Sequence, residues 1–207
     1  MTFRLRHSSI PSYHSISMSR TQQIIGLAGL AGAGKSTSAL TIVAEFGFVG
    51  IKLGDHIRQE LIAKGLAYTP ENERAIQIEL REQYGMAALV KLSMRRIQEE
   101  LDKGNSILLD SMCSFSEREY IRSAIVSVPC TVIAVHAALL DRMNRLAVRP
   151  ERPLKVEQML ERDALEIDRL EKARLLTLAD FHLANNGDVD MLAAATQSIL
   201  QRILRGA

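Results

Sequence analysis

The chain has 207 residues, of which 47% are hydrophobic and 24% charged, enough for one α/β domain with a sizeable core. A formal net charge of +2 and the lack of Trp argue against a nucleic-acid surface. The longest apolar run, residues 125–140, is too short for a membrane helix. We therefore expect neither a nucleic acid nor a membrane as a partner.

The two cysteines form neither a disulfide framework nor a metal-binding spacing, which suits a reducing, cytoplasmic location. Residues 1–22 hold three arginines, many serines and no acid, a composition that a mitochondrial presequence could have. They lack a clear amphipathic stripe, and Met18 directly precedes the first predicted strand. We therefore expect a disordered extension or an upstream start codon, and a folded domain at residues 23–207.

Predicted strands and helices alternate along the rest of the chain. Strands are expected at residues 23–28, 49–53, 105–110, 128–136 and 181–184. Helices are expected at residues 35–46, 55–65, 70–101 with a break near Gly85, 139–178 with an interruption at 149–153, and 189–204. This alternation predicts an α/β fold: a five-stranded parallel sheet covered by helices on both faces, with ligands at the carboxyl ends of its strands.

A complete phosphate-binding pattern, Gly-Leu-Ala-Gly-Ala-Gly-Lys-Ser at residues 29–36, joins the first strand to the first helix. Its glycines let backbone N–H groups wrap an anion, and the helix adds its positive end. Lys35 is expected to reach the β- and γ-phosphates of ATP, and the Ser36 hydroxyl to coordinate Mg²⁺. The predicted ATP contacts in this segment are Gly29, Ala31, Gly32, Ala33, Gly34, Lys35, Ser36 and Thr37.

The third predicted strand runs through apolar residues into Asp110. Beside a phosphate-binding loop, such an Asp is expected to be the second Mg²⁺ anchor, directly or through water. The alternative is an Asp that only starts a turn. No Asn/Thr-Lys-x-Asp guanine-recognition motif occurs, which argues against a GTPase.

Gly54, Asp55 and Arg58 follow the second predicted strand with the spacing Gly-Asp-x-x-Arg. They resemble the acceptor-binding segment of adenylate kinases, in which the Arg pairs with the acceptor's phosphate. The alternative is a helix capped by Asp55 with a solvated Arg58. If the acceptor is a phosphate, Asp55 only orients groups or metal-bound water, whereas for a hydroxyl acceptor Asp55 is the natural general base.

Further segments widen the resemblance. Gly54-Asp55 with Arg58, then residues 79–82, 109–110, 134–137, 161–163 and 186–187, follow the order seen in a largely archaeal, poorly characterised family similar to adenylate kinases and dephospho-coenzyme-A kinases. The resemblance implies a P-loop kinase that uses ATP and Mg²⁺ to phosphorylate a nucleoside monophosphate or modified nucleotide. A dephospho-coenzyme-A or nucleoside hydroxyl kinase, and a non-catalytic ATP-binding regulatory protein, remain as alternatives.

The chain departs from the family pattern after the third strand. In that family, the Asp at the end of the third strand is followed by Gly and then by an Arg that binds the acceptor. In this chain, Ser111 follows Asp110, and Cys113 stands at the place of the Arg. This puts ordinary AMP in doubt as the acceptor, unless Arg81 and Arg118 supply the charge. The residues expected to bind the small nucleotide-like acceptor are Asp55, Arg58, Arg81 and Cys113.

Four arginines cluster after the fourth strand, in a predicted helical lid at about residues 139–158: Arg142, Arg145, Arg149 and Arg152. In similar kinases, lid arginines neutralise the charge that develops on the phosphates and exclude water. We expect two of them, Arg142 and Arg149, to face the phosphates and to complete a catalytic set with Lys35 and Asp55. The alternative is a solvated basic face paired with the acids at residues 161–168.

After the fifth strand, Asn185, Asn186 and Gly187 resemble a loop that brackets the adenine ring, with Asn186 and Gly187 as the expected contacts, although a plain Asn-Gly turn is an equal alternative. His136, at the end of the fourth strand, is interpreted as a hydrogen-bonded core residue outside the site. We expect a monomer or a homodimer.

Overall fold

A computed structural model describes residues 21–150 and 153–206 of the chain. Most of the predicted N-terminal extension, and Arg152 of the predicted lid, lie outside the described residues. No helix of the described part is both long enough and apolar enough to cross a membrane.

The described residues form five strands and nine helices. In chain order these are β1 (Ile24–Ala28), α1 (Lys35–Phe46), β2 (Val49–Lys52), α2 (Asp55–Ala63), α3 (Pro70–Tyr84), α4 (Ala88–Asp102), β3 (Ile107–Asp110), α5 (Phe115–Ala124), β4 (Cys130–His136), α6 (Leu139–Ala147), α7 (Val156–Asp168), α8 (Lys172–Thr177), β5 (Phe181–Ala184) and α9 (Val189–Arg205).

All strand pairs are parallel, in the order β2-β3-β1-β4-β5. β1 therefore lies at the centre, and the loop that follows it leaves the sheet between the ends of β3 and β4. The pairing also places the Cα atoms of Lys52 and Asp110 opposite each other at the ends of β2 and β3. This arrangement confirms the predicted five-stranded parallel sheet.

Apolar side chains cover both faces of the sheet, which explains why β1 reads as a continuous apolar run. On one face, Ile24 and Ile107 pack under α2, α3, α4, α5 and α8. On the other, Ile25 and Leu108 pack under α1 and α9. Each face thus fixes the helices whose ends surround the carboxyl edge of the sheet.

The helix ends follow the predicted local signals. Gly47 ends α1 with φ 72°, and its N–H donates to the carbonyl of Val43 (3.2 Å). At the start of α3, the Thr69 hydroxyl accepts from the N–H of Asn72, and Pro70 takes the first helical position. Gly85, with φ 81°, separates α3 from α4 where the break was predicted.

Helix α5 was not predicted, although its sequence carries a recognisable start. Ser114 and Glu117 form a capping box: the Ser114 side chain accepts from the N–H of Glu117, and the Glu117 carboxylate accepts from the N–H of Ser114. The Ser-x-x-Glu spacing is the signal that could have located this helix.

The interpretation of His136 as a core residue is wrong. Its ring is exposed at the end of β4, where its Nε2 lies 3.1 Å from Nδ1 of His182 on β5. His136 is the last residue of β4, at the rim of the sheet, where helices no longer cover the strand. The apolar residues before it predicted burial and could not indicate this exposure.

Candidate active site at the carboxyl edge of the sheet

The backbone of the phosphate-binding loop needs glycine at two positions. Gly29 has φ 156°, and a Cβ there would lie 2.6 Å from the carbonyl oxygen of Val135. Gly34 has φ 108° and precedes the first residue of α1, where a Cβ would collide with the side chain of Asn185. No larger residue would allow the loop to approach β4 and Asn185 so closely.

The start of α1 is open to an anion. The first N–H groups of a helix have no partner within it, and Gly34 provides no side-chain cap. Lys35 lies over the loop, its Nζ donating to the carbonyls of Gly29 (2.9 Å) and Leu30 (3.1 Å). Burial, reinforced by the nearby charge of Lys172, lowers the pKa of Lys35 to about 8. These groups form a cradle with the donors that a polyphosphate requires.

Arg142 holds this cradle in place instead of pointing into open space. Its guanidinium is 5% exposed, donates through Nε to the carbonyl of Ala31 (2.7 Å) and makes two hydrogen bonds to the carboxylate of Asp163 (2.8 and 2.6 Å). A buried cation is stable only with such a partner. The structure therefore corrects the expectation that Arg142 faces the phosphates: it ties α6 and α7 to the loop.

A second tie to the loop comes from Arg145, one of the four clustered arginines, and from Asn185 of the predicted adenine loop. Arg145 of α6 donates to the carbonyls of Gly32 (3.4 Å) and Asn185 (3.1 Å). The buried amide of Asn185 in turn donates to the carbonyl of Ala33 (2.8 Å). Of the predicted adenine loop, Asn186 accepts from the N–H of Ala138 (2.9 Å), so it fixes the start of α6. Gly187 follows it and is exposed.

A cleft of about 760 Å³ extends from the start of α1 towards α2 and α3. Its walls bring together five of the residues predicted to form the site: Ser36, Asp55, Arg58, Asp110 and Arg149. Ser36 and Asp110 lie on the side of the phosphate loop, and Asp55 and Arg58 belong to the first turn of α2. The hydroxyl of Ser111 donates to the Asp110 carboxylate (3.1 Å). Ser36 and Asp110 are oxygen ligands that could hold Mg²⁺.

Two residues expected to bind an acceptor lie behind the wall of the cleft. Cys113 is 4% exposed, and its sulfur accepts from the Gln77 amide at 3.5 Å. Arg81 is 6% exposed, donates to the carbonyl of Gln77 (3.0 Å) and lies 3.6 Å from the Glu117 carboxylate. Neither lines the cleft, so this placement corrects the expectation that Arg81 and Cys113 contact an acceptor.

A chain of buried charges supports the side of the cleft that α7 forms. Arg162 lines the cleft and donates to Glu166 (2.9 Å), which lies 3.5 Å from the ammonium of Lys172. Lys172 donates to the carbonyl of Met112, just after β3 (3.0 Å). Burial opposes the charge on Glu166, but Lys172 and Arg162 outweigh it and lower the pKa of Glu166 to about 2. Glu166 therefore stays ionised and keeps α7 and α8 against the site.

The cations around the cleft divide into two groups. Within residues 21–150 and 153–206, Lys52, Arg58 and Arg149 line the cleft without a hydrogen bond or ion pair to the protein. Arg142 and Arg162, by contrast, are held by carboxylates. The unpartnered charges lie where a ligand can reach them. Lys52 was not among the predicted site residues.

Known proteins show the same sequence pattern. A family model described as an AAA domain matches residues 28–161. A UPF0200 protein of Thermococcus gammatolerans is 31% identical over 88% of this chain and 96% of its own length. A UPF0200 protein of Aeropyrum pernix is 35% identical over 82% of this chain and 87% of its own length. The chain carries the AAA domain and belongs to the UPF0200 family, which confirms the predicted relationship.

Solved structures agree on the fold. A gluconokinase from Sinorhizobium meliloti aligns with 90% of this chain and 96% of its own, with a TM-score of 0.54 at 15% identity. A shikimate kinase from Bacteroides thetaiotaomicron aligns with 86% of this chain and 98% of its own, with a TM-score of 0.55 at 14% identity. The fold is that of the P-loop kinases.

Proposed function

We propose that this protein transfers the terminal phosphoryl group of ATP, with Mg²⁺, to a nucleoside monophosphate or a modified nucleotide. One observation carries the proposal: a single cleft joins the start of α1 to Asp55 and Arg58. Phosphoryl transfer is mainly a matter of positioning, because donor and acceptor must meet in line. A cleft that presents a phosphate cradle to an acceptor-binding segment meets this need.

The donor side fits Mg·ATP by its chemistry. Lys35 and the uncapped N–H groups of α1 would bind the phosphates, and the oxygens of Ser36 and Asp110 would hold Mg²⁺. When bound, the metal neutralises charge on the phosphates. Arg142 keeps Ala31 fixed through its hydrogen bond, so the loop donors need little rearrangement when ATP binds. Arg149 and Arg162, on the opposite wall, would shield the donor from water.

The acceptor side combines charge with an apolar wall. Arg58 offers a guanidinium that matches a phosphate group, and Asp55 lies one helical turn before it. Ile62 and Leu66 line the same cleft although they are 69% and 42% exposed. Exposed apolar side chains in a ligand cleft favour an acceptor with an apolar or planar body. A nucleobase suits this wall better than a small polyhydroxy acid does.

The position of Asp55 favours a second candidate function. Its carboxylate is exposed in the cleft and makes no hydrogen bond or ion pair with the described residues. A free carboxylate can accept the proton of a hydroxyl acceptor, as a nucleoside or dephospho-coenzyme-A kinase would require. A non-catalytic regulator would need neither Asp55 nor Arg58 in this cleft.

The experiment is a coupled ADP-release assay with Mg·ATP, in which nucleoside monophosphates, their nucleosides and dephospho-coenzyme A are offered as acceptors. We expect release that depends on a monophosphate, and stabilisation of the fold by the same acceptor in a thermal-shift assay. Release only with nucleosides or dephospho-coenzyme A would select the hydroxyl kinase. Binding of ATP and ADP without any acceptor-dependent release would select the regulator.

A further inference from the structure

Lys52 lies at the end of β2, an edge strand of the sheet. It is the last residue of β2, and its Cα pairs with that of Asp110 at the end of the neighbouring strand. The alternation of side chains along a strand buries Ile51 and leaves Lys52 exposed at the opening of the cleft. Lys52 thus stands beside the segment after β3 in which the family pattern would place an arginine.

The ammonium of Lys52 has no protein partner among the described residues, although Asp55 and Asp110 line the same cleft. Two other exposed lysines are paired: Lys103 lies 2.7 Å from the Glu100 carboxylate, and Lys64 pairs with Glu79. A lysine on an ordinary solvated surface would have the same freedom. Lys52, however, shares a cleft with the equally unpartnered guanidinium of Arg58.

We infer that Lys52 and Arg58 together bind the phosphate group of the acceptor, and that Lys52 supplies the positive charge that Cys113 cannot. This inference rests on the proposed function, and it narrows the acceptor to a phosphomonoester. Arg58 offers a planar fork that fixes the orientation of the phosphate, and Lys52 adds a mobile point charge. Two cations match the charge of a phosphate dianion, whereas an uncharged hydroxyl acceptor would leave both of them unpaired.

Binding of a phosphate dianion should depend on pH. The second ionisation of a phosphate monoester has a pKa of about 6, and below this pH the phosphate carries one negative charge fewer. The acceptor KM of the wild-type protein should therefore rise as the pH falls below about 6. Without the charge of Lys52, this rise should become smaller, because less of the binding then depends on the second negative charge.

The test uses the full chain with three substitutions: Lys52→Met, Lys52→Arg and, as a control on the surface, Lys103→Met. Coupled ADP release is measured at saturating Mg·ATP with AMP, CMP, GMP and UMP, and with the corresponding nucleosides. For the best monophosphate, we expect Lys52→Met to raise KM about ten- to a hundredfold, as loss of a charged hydrogen bond does. Lys52→Arg should restore most of this loss, and Lys103→Met should have no effect.

The ATP KM separates a role at the acceptor from a general defect, since it should change less than about twofold in Lys52→Met. An unchanged acceptor KM in Lys52→Met, or equal losses in Lys52→Arg and Lys52→Met, would overturn the inference and leave the proposed function standing. If the wild-type protein phosphorylates the nucleosides and none of the monophosphates, both the inference and the proposed function are wrong.

Discussion

The two ends of the cleft are built differently. At the donor end, Lys35, Arg142 and Arg145 all donate to carbonyls of the phosphate-binding loop, so its conformation is held from several directions. At the acceptor end, Lys52 and Arg58 make no hydrogen bond or ion pair with the described residues.

A preorganised donor site saves the cost of rearrangement when charge develops. The acceptor end, in contrast, leaves its charges to be paired by the ligand. The same fold can therefore serve different acceptors if a few exposed side chains change while the donor site stays fixed. Substitutions at the donor end should affect stability and ATP together, and those at the acceptor end should affect the acceptor alone.

The largest effect is expected at the buried ion pair of the donor end. Arg142→Ala should lower the free energy of unfolding by about 3–5 kcal/mol, because it leaves Asp163 charged and buried without its partner. It should also weaken ATP binding, since Ala31 loses its hydrogen bond. Urea denaturation and calorimetric titration with ATP measure the two effects.

Arg149→Ala is the matched control, because it removes the same side chain from a place without a protein partner among the described residues. Its unfolding free energy should stay close to that of the wild type. Equal stability losses in both variants would refute the idea that the donor end is held by partnered charges.

Lys35→Ala should reduce phosphoryl transfer by about a hundred- to a thousandfold, the usual cost of losing one donor to a developing charge. The fold should persist, because the Lys35 ammonium bonds only to loop carbonyls. Steady-state rates and a thermal melt check the two statements, with Lys103→Ala as the control. Near-normal turnover would remove the phosphate-binding loop from the mechanism.

Arg58→Ala tests the acceptor end of the cleft. We expect kcat/KM for the acceptor to fall about ten- to a hundredfold, because a charge-assisted contact is worth about 1.5–3 kcal/mol. The ATP affinity should hardly change. Arg95→Ala is the control, since Arg95 is a surface arginine with 91% side-chain exposure. Weaker ATP binding in Arg58→Ala would place this residue on the donor side and reverse the orientation of the site.

The pKa of Lys35 gives a pH test of the donor end. Because burial lowers this pKa from 10.5 to about 8, the free enzyme loses the charge of Lys35 above that pH. The value of kcat/KM for ATP should then fall about tenfold per pH unit. Between pH 8 and 10.5 only the unfolded chain keeps the proton on Lys35, so this group makes the free protein more stable as the pH rises.

Below pH 8, Lys35→Arg should be slower than the wild type, but its rate should lack this decrease at higher pH, because guanidinium stays charged. A wild-type profile that remains flat to about pH 9.5 would mean that Lys35 keeps its charge despite its burial.

The difference between the donor end and the acceptor end of the cleft also explains how much of the site could be predicted from sequence. The phosphate-binding loop is a local pattern, so spacing alone predicted its position between β1 and α1. The start of α3 at Pro70 and its end near Gly85 were predicted for the same reason. The partner of the loop, Asn185, lies 152 residues away from Ala33 in sequence, and no local signal links the two.

At the acceptor end, prediction depended on which way a side chain faces after a strand. Gly54, Asp55 and Arg58 were predicted to lie together because their spacing resembles the acceptor-binding segment of adenylate kinases, and the start of α2 holds that spacing. Cys113 was placed in the site by its position in the family pattern, yet packing of α3 and α5 turns it towards Gln77. Lys52 was overlooked because a lysine at the end of a strand has no motif around it.

The smallest effect is expected at Ser111, the residue that joins Asp110 to the segment of Cys113. Ser111 has φ 69°, a left-handed conformation that costs an L-residue about 1–2 kcal/mol and glycine almost nothing. Ser111→Gly relieves this cost, but it adds freedom to the unfolded chain, worth about 0.5–1 kcal/mol, and loses the hydrogen bond to Asp110.

We therefore expect Ser111→Gly to change the unfolding free energy by less than about 1 kcal/mol, because these contributions nearly cancel. Ser111→Ala keeps the left-handed φ and loses the same hydrogen bond, so it should be less stable than both the wild type and Ser111→Gly. Urea denaturation of the three proteins decides the order. If Ser111→Gly is as unstable as Ser111→Ala, the loss of the hydroxyl that holds Asp110 outweighs the relief of the backbone.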